Sequence, residues 1–166
     1  MKSLTIGWYR GKKFPSWVND LSPFHNLVHI RLNSCLECEE VPTLEHLPCL
    51  RVLEIVGMSN VRSIGSEFYS YSDGSYTNTT SFPALRILKL VQMNGLEKWK
   101  DAKELTSAGE VLLVFPCLEE LIIRRCSNLR DLPDTLQTRI SLQKLVVEHF
   151  PVMGSLLGVT SVIGFF

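Results

Sequence analysis

The chain holds 166 residues, 45% of them hydrophobic and 20% charged, with 17 basic and 17 acidic side chains. That is enough for one compact core and gives no reason to invoke a second domain. A formal net charge of zero excludes general attraction to nucleic acid or to an anionic membrane, both of which need a long-range excess of Lys and Arg, so a partner must be chosen by local pattern.

The first predicted element is a strand, Met1-x-x-Leu4-x-Ile6, whose apolar side chains fall on one face because successive strand residues point to opposite sides. Its start, Met1 to Trp8, lacks the apolar run of a secretory signal, which predicts a cytoplasmic protein. Trp8 and Tyr9 follow the strand, where an exposed ring could anchor a partner. Arg10, Lys12 and Lys13 then read as solvated charge, as do Glu37, Glu39 and Glu40 further on. Trp17 of Phe14-Pro15-Ser16-Trp17 is expected to plug the core beneath a return segment, and so is Trp99. The strand pattern recurs as Leu27-x-x-Ile30-x-Leu32-x-x-Cys35, Leu50-x-x-Leu53-x-Ile55-x-x-Met58, Leu85-x-x-Leu88-x-Leu90-x-x-Met93, Leu118-x-x-Leu121-x-Ile123-x-x-Cys126 and Leu142-x-x-Leu145-x-Val147-x-x-Phe150. Two stretches interrupt this rhythm. Residues 65–81, rich in hydroxyls, turn formers and aromatic rings, predict a mobile loop on the rim or convex side; residues 100–113 predict a charged helix-like excursion and an apolar return. Residues 151–166 form an uncharged tail, shorter than the roughly 20 residues of a spanning helix and broken by Pro151, Gly154, Gly158 and Gly164, which reads as a divergent last repeat.

Self-similarity of this form is that of the leucine-rich repeat. The expected fold is therefore a right-handed α/β-type solenoid, a horseshoe fragment of about six repeats over residues 1–150, starting near 1, 27, 50, 85, 118 and 142. It has a short-stranded parallel sheet on the concave face and irregular or 3₁₀-like returns, because no single unit can bury its own apolar side. The outward row at mid-strand is Thr5, Arg31, Glu54, Lys89, Ile122 and Val146, with Trp8, His29, Asn33, Arg51, Gln92, Arg124, Lys144 and Glu148 beside it. Six strands about 4.8 Å apart give a face on the order of 25 Å across, which suits a folded protein as partner. No nucleic acid, membrane, cofactor or metal is expected, and no catalysis.

The cysteines support that reading. Their number is odd, at Cys35, Cys38, Cys49, Cys117 and Cys126, which fits reduced thiols; the sequon Asn78-Thr79-Thr80 is then expected to stay unglycosylated. Cys35 and Cys126 fill the slot taken by Met58, Met93 and Phe150 in sister repeats, a packing position. Cys49 and Cys117 share a second recurrent slot, Pro-Cys-Leu. One Cys35-x-x-Cys38 without a second pair does not make a zinc site, and His25, His29, His46 and His149 form no motif with a thiol.

Strings between the repeats carry a resemblance. In order they are Phe14-Pro15-Ser16-Trp17, Val41-Pro42-x-Leu44, Leu47-Pro48-x-Leu50, Gly57-Met58-x-x-Val61, Ile64-Gly65-x-Glu67-Phe68-Tyr69, Phe82-Pro83-x-Leu85, Leu96-Glu97-x-Trp99, Phe115-Pro116-x-Leu118 and Cys126-x-x-Leu129-x-x-Leu132-Pro133. The chain from Leu4 to about Phe150 closely resembles the C-terminal leucine-rich repeats of plant nucleotide-binding disease-resistance proteins of the coiled-coil class. The resemblance implies recognition of a pathogen effector or a guarded host protein, and restraint of the receptor's own nucleotide-binding domain. The phosphate-binding G-x-x-x-x-G-K-[ST] loop is missing, so the chain reads as a fragment or truncated product without the switch. The alternative is an extracellular repeat receptor or inhibitor domain, which the missing signal, the unpaired cysteines and the single sequon disfavour. Physically, Phe-Pro-x-Leu puts an aromatic in the core and a proline where the chain turns into the sheet.

Overall fold

The structure, a computed structural model, describes residues 2–69, 80–101, 113–137 and 141–148. These contain, in chain order, β1 (Ser3–Gly7), β2 (His29–Asn33), β3 (Val52–Val56), β4 (Ser63–Ile64), β5 (Thr80–Ser81), β6 (Ile87–Val91), β7 (Lys98–Trp99), β8 (Leu113–Val114), β9 (Glu120–Arg124) and β10 (Lys144–Glu148). Among the described residues helix is confined to α1 (Ser16–Asn19), α2 (Ser66–Tyr69), α3 (Asp134–Gln137) and a 3₁₀ turn at Ser22–Phe24.

The six five-residue strands make one sheet in the order β1-β2-β3-β6-β9-β10, every pair parallel. Parallel neighbours require a crossover, and each return segment supplies one. The register is set by the repeat: Leu4, Ile30, Leu53, Leu88, Leu121 and Leu145 stand in one line, and Ile6, Leu32, Ile55, Leu90, Ile123 and Val147 in a second. These lines point inward and are buried in β2, β3, β6 and β9. In β1 and β10, which have a neighbour on one side only, they are half-buried. Each fully buried Leu or Ile stabilises the stack by roughly 1.5–3 kcal/mol, so the central strands carry most of the core.

The residue after each of β1, β2, β3, β6 and β9 adopts a left-handed backbone: Trp8 (φ 58), Ser34 (φ 56), Gly57 (φ 69), Gln92 (φ 56) and Arg125 (φ 54). Each still donates its N–H to the last carbonyl of the next strand, as in Trp8 to Asn33 at 2.9 Å and Gly57 to Val91 at 2.8 Å. The ladder thus runs one residue past the side-chain alternation before the chain dives inward and buries Cys35, Met58, Met93 or Cys126. A non-glycine residue at positive φ is strained, and the fixed ladder bond offsets that strain.

Two short parallel pairs, β4–β7 and β5–β8, tie successive returns together. Between them lies an aromatic cluster: Phe82 stands 4.9 Å from Phe68 and 5.2 Å from Phe115, ring centre to ring centre. Trp99 Nε1 donates to the Tyr69 hydroxyl at 2.7 Å, which donates to the Lys100 carbonyl at 3.1 Å. Phe82 and Phe115 of the Phe-Pro-x-Leu strings are core residues, as expected.

Two expectations are corrected. The 65–81 insertion does not begin as a loop: α2 sends Phe68 and Tyr69 into the core, and Thr80–Ser81 is strand. Residues 70–79 of that loop, 102–112 of the 100–113 excursion, and the tail with His149 and Phe150 lie outside the described residues. Trp17 is 52% exposed, because α1 turns Val18 inward while Phe14 and Leu21 fill the space beneath; Trp99 is buried as expected. Cys49 and Cys117 are exposed, so their recurrent slot faces out, whereas Cys35 and Cys126 are buried.

Candidate functional site

Alternation leaves three outward residues per strand, at its first, third and fifth positions. The middle row is Thr5, Arg31, Glu54, Lys89, Ile122 and Val146, paired strand to strand without a slip. The first row is Ser3, His29, Val52, Ile87, Glu120 and Lys144, and the last is Gly7, Asn33, Val56, Val91, Arg124 and Glu148. Of the sequence-derived candidates, Thr5, His29, Arg31, Asn33, Glu54, Lys89, Ile122, Arg124, Lys144, Val146 and Glu148 therefore share this face.

Three candidates do not. Trp8, 72% exposed, and Gln92 sit on the left-handed turn beyond the strand, at the rim. Arg51 precedes its strand and lines an open cleft of about 500 Å³ with Lys2, Asn26 and Cys49. A further correction concerns exposure within the middle row. Glu54, Ile122 and Val146 are buried, at 9%, 9% and 5%, although their side chains belong to the outward set.

Glu54 is shielded because its neighbours converge on it. Arg31 Nη1 donates to Oε2 at 3.0 Å, Lys89 Nζ donates to Oε1 at 3.5 Å, and His29 Nε2 lies 3.1 Å from Oε1. Two flanking pairs complete the ionic pattern, Lys144 with Glu120 at 3.2 Å and Arg124 with Glu148 at 3.1 Å. Each joins adjacent strands at one register position. Around Glu54 and Lys89 stand Val52, Val56, Ile87 and Val91, all half-buried. Sequence reasoning missed these four because it named the mid-strand row and, beside it, mainly polar flanks; counting two residues either way from Glu54 and Lys89 finds them.

Five titratable groups off this face are shifted by burial. Burial pushes the thiols of Cys38 and Cys126 up to about 11, for Cys38 with help from neighbouring Cys35. The thiolate, which is the nucleophile, is thereby disfavoured. Burial also raises Tyr69, and raises the Glu45 carboxyl to about 7, while it lowers His46 against the opposing pull of Asp20. Among the described residues no three His, Cys, Asp or Glu side chains gather as a metal site would require, and no helix is long and apolar enough to cross a membrane.

Comparison with known proteins supports the repeat fold. The family described as R13L1/DRL21 LRRs matches residues 1–58. A disease resistance RPP13-like protein 1 of Arabidopsis thaliana is 37% identical over 144 residues, 86% of this chain and 13% of the relative. Disease resistance protein RGA2 of Solanum bulbocastanum is 32% identical over 80% of the chain and 13% of its own length, and disease resistance RPP8-like protein 3 of Arabidopsis thaliana 31% over 89% and 14%. The chain thus spans about an eighth of the length of the relatives it matches. No solved structure matches it at comparable significance.

Proposed function

Since the chain is a leucine-rich-repeat segment of the plant disease-resistance kind, we propose that it is the protein-recognition module of an immune receptor of the cytoplasm. On this reading its concave face binds a pathogen effector, a guarded host protein or the receptor's own nucleotide-binding domain, and it performs no catalysis. The observation that carries the proposal is the composition of that face. Half-buried Val52, Val56, Ile87 and Val91 surround an ionic centre, with paired charges toward β9 and β10. Apolar side chains interleaved with hydrogen-bonding charged groups on one face are what a protein interface presents. Restraint of a nucleotide-binding domain rests on the resemblance alone.

The test is capture of bound proteins from leaf tissue expressing the chain, each repeated with two variants. One is Val52→Arg with Ile87→Arg, which fills the face with charge; the other replaces residues 70–79 with Gly and Ser. Loss of a bound protein with the first variant and retention with the second is the expected result, with folding of both checked by circular dichroism. The reverse pattern would move recognition to the insertion and leave the face as scaffold.

A further inference from the structure

We propose that the centre of the concave face is a receptor for an acidic side chain, so that the partner presents Asp or Glu flanked by apolar residues. This rests on the reading of the face as the interaction surface and specifies which chemistry it selects.

The charges of the face are unevenly placed. Its eighteen outward positions carry the cations Arg31, Lys89, Arg124 and Lys144 and the carboxylates Glu54, Glu120 and Glu148. Glu120 and Glu148 are each matched to one cation, Lys144 and Arg124. Glu54 alone is matched to two, Arg31 and Lys89. The whole surplus of positive charge therefore sits at the centre, even before His29 is counted.

Accessibility follows the same division. The Glu54 side chain is 11% exposed, whereas Arg31 and Lys89 are 43% and 33% exposed. A guanidinium has five N–H donors and an ammonium three, and each gives one to Glu54. The remaining donors belong to side chains that are themselves partly exposed, while the carboxylate that would repel an anion is covered by the groups that would bind it. Val52, Val56, Ile87 and Val91 supply apolar surroundings in which a charge-assisted hydrogen bond is stronger than in water. An incoming carboxylate bridging Arg31 and Lys89 would balance the surplus; an incoming cation would meet two cations and a spent carboxylate. Desolvated like charges repel strongly, so the face discriminates by rejecting basic partners as well as by accepting acidic ones.

The test uses a displayed library of random twelve-residue peptides selected against the whole chain. Enriched peptides are expected to carry Asp or Glu beside Val, Ile, Leu or Phe. Arg31→Gln and Lys89→Gln should each weaken such peptides by about tenfold, the value of one charge-assisted hydrogen bond. Glu54→Gln should strengthen them, because it frees the two cations from their internal competitor; a merely structural role for Glu54 would give no gain. Binders that are lost on Val52→Arg but show no acidic preference would overturn this inference and leave the interaction face standing. Binders indifferent to both Val52→Arg and Lys89→Gln, or a library that yields none, would overturn the reading of the face itself.

Discussion

Gly95 offers a sharp test, because the repeat pattern and the structure disagree about it. In the self-alignment Gly95 occupies the position of Asn60 and Asn128 in sister repeats, so sequence logic accepts Gly95→Asn. The structure rejects it. A Cβ at Gly95 would overlap the backbone carbonyl oxygen of Ser59 in the preceding repeat, with the Ser59 carbonyl carbon at 3.0 Å and the Val61 carbonyl oxygen at 3.2 Å. Backbone cannot rotate aside, so the two returns must separate. They are stitched by Glu97 N–H to the Arg62 carbonyl at 2.8 Å and Lys100 N–H to the Ile64 carbonyl at 2.9 Å. Overpacking costs about 1–3 kcal/mol, and weakening one such bond adds about 1 kcal/mol. The lower chain entropy of Ala in the unfolded state returns about 0.4–1 kcal/mol. Gly95→Ala should therefore lose about 2–3 kcal/mol, and Gly95→Asn at least as much. Urea unfolding followed by circular dichroism measures both, with a Tm lowered by roughly 4–12 °C as a second readout. A Gly95→Asn chain with an unchanged urea midpoint would refute the close approach of these returns.

Three other outcomes follow. Phe115→Ala, which empties the centre of the aromatic cluster, should cost about 3–5 kcal/mol, whereas Trp17→Ala at an exposed site should stay within about 0.5 kcal/mol; equal effects in thermal melts would contradict the orientation of α1. The Glu45 carboxyl is raised by burial from 4.5 to about 7, so the folded state holds its proton more tightly than the unfolded state. Its contribution is present below pH 4.5 and is lost as pH rises through about 7. Glu45→Gln should remove that loss and stabilise the chain at pH 8 by about 1 kcal/mol, a value reduced for the side chain's partial solvation; urea midpoints of both proteins from pH 4 to 8 that fall in parallel would disprove it. Lacking the G-x-x-x-x-G-K-[ST] loop, the chain should not bind ATP, and saturable, magnesium-dependent binding of a fluorescent ATP analogue would contradict this.

The six long strands, their register and the inward lines of Leu, Ile and Val were legible from the sequence. Each repeat is a local pattern of period two, and stacking identical patterns permits one register without a slip. The middle outward row was readable for the same reason: Arg31, Glu54 and Lys89 lie 23 and 35 residues apart in the chain yet occupy one repeat position, hence neighbouring strands. Tertiary structure decided what depends on the gaps between units. Whether Trp17 or Val18 turns inward depends on the pitch of a four-residue helix; whether Phe68 and Tyr69 belong to a loop or a core depends on Phe82, Phe115 and Trp99 arriving from later repeats. The shielding of Glu54 likewise needs side chains from three strands to meet, and the intolerance of Gly95 needs two returns to touch. Periodicity fixes which way a residue points, because that is a property of one strand; how deeply it is buried is a property of its neighbours, which only the assembled stack brings together.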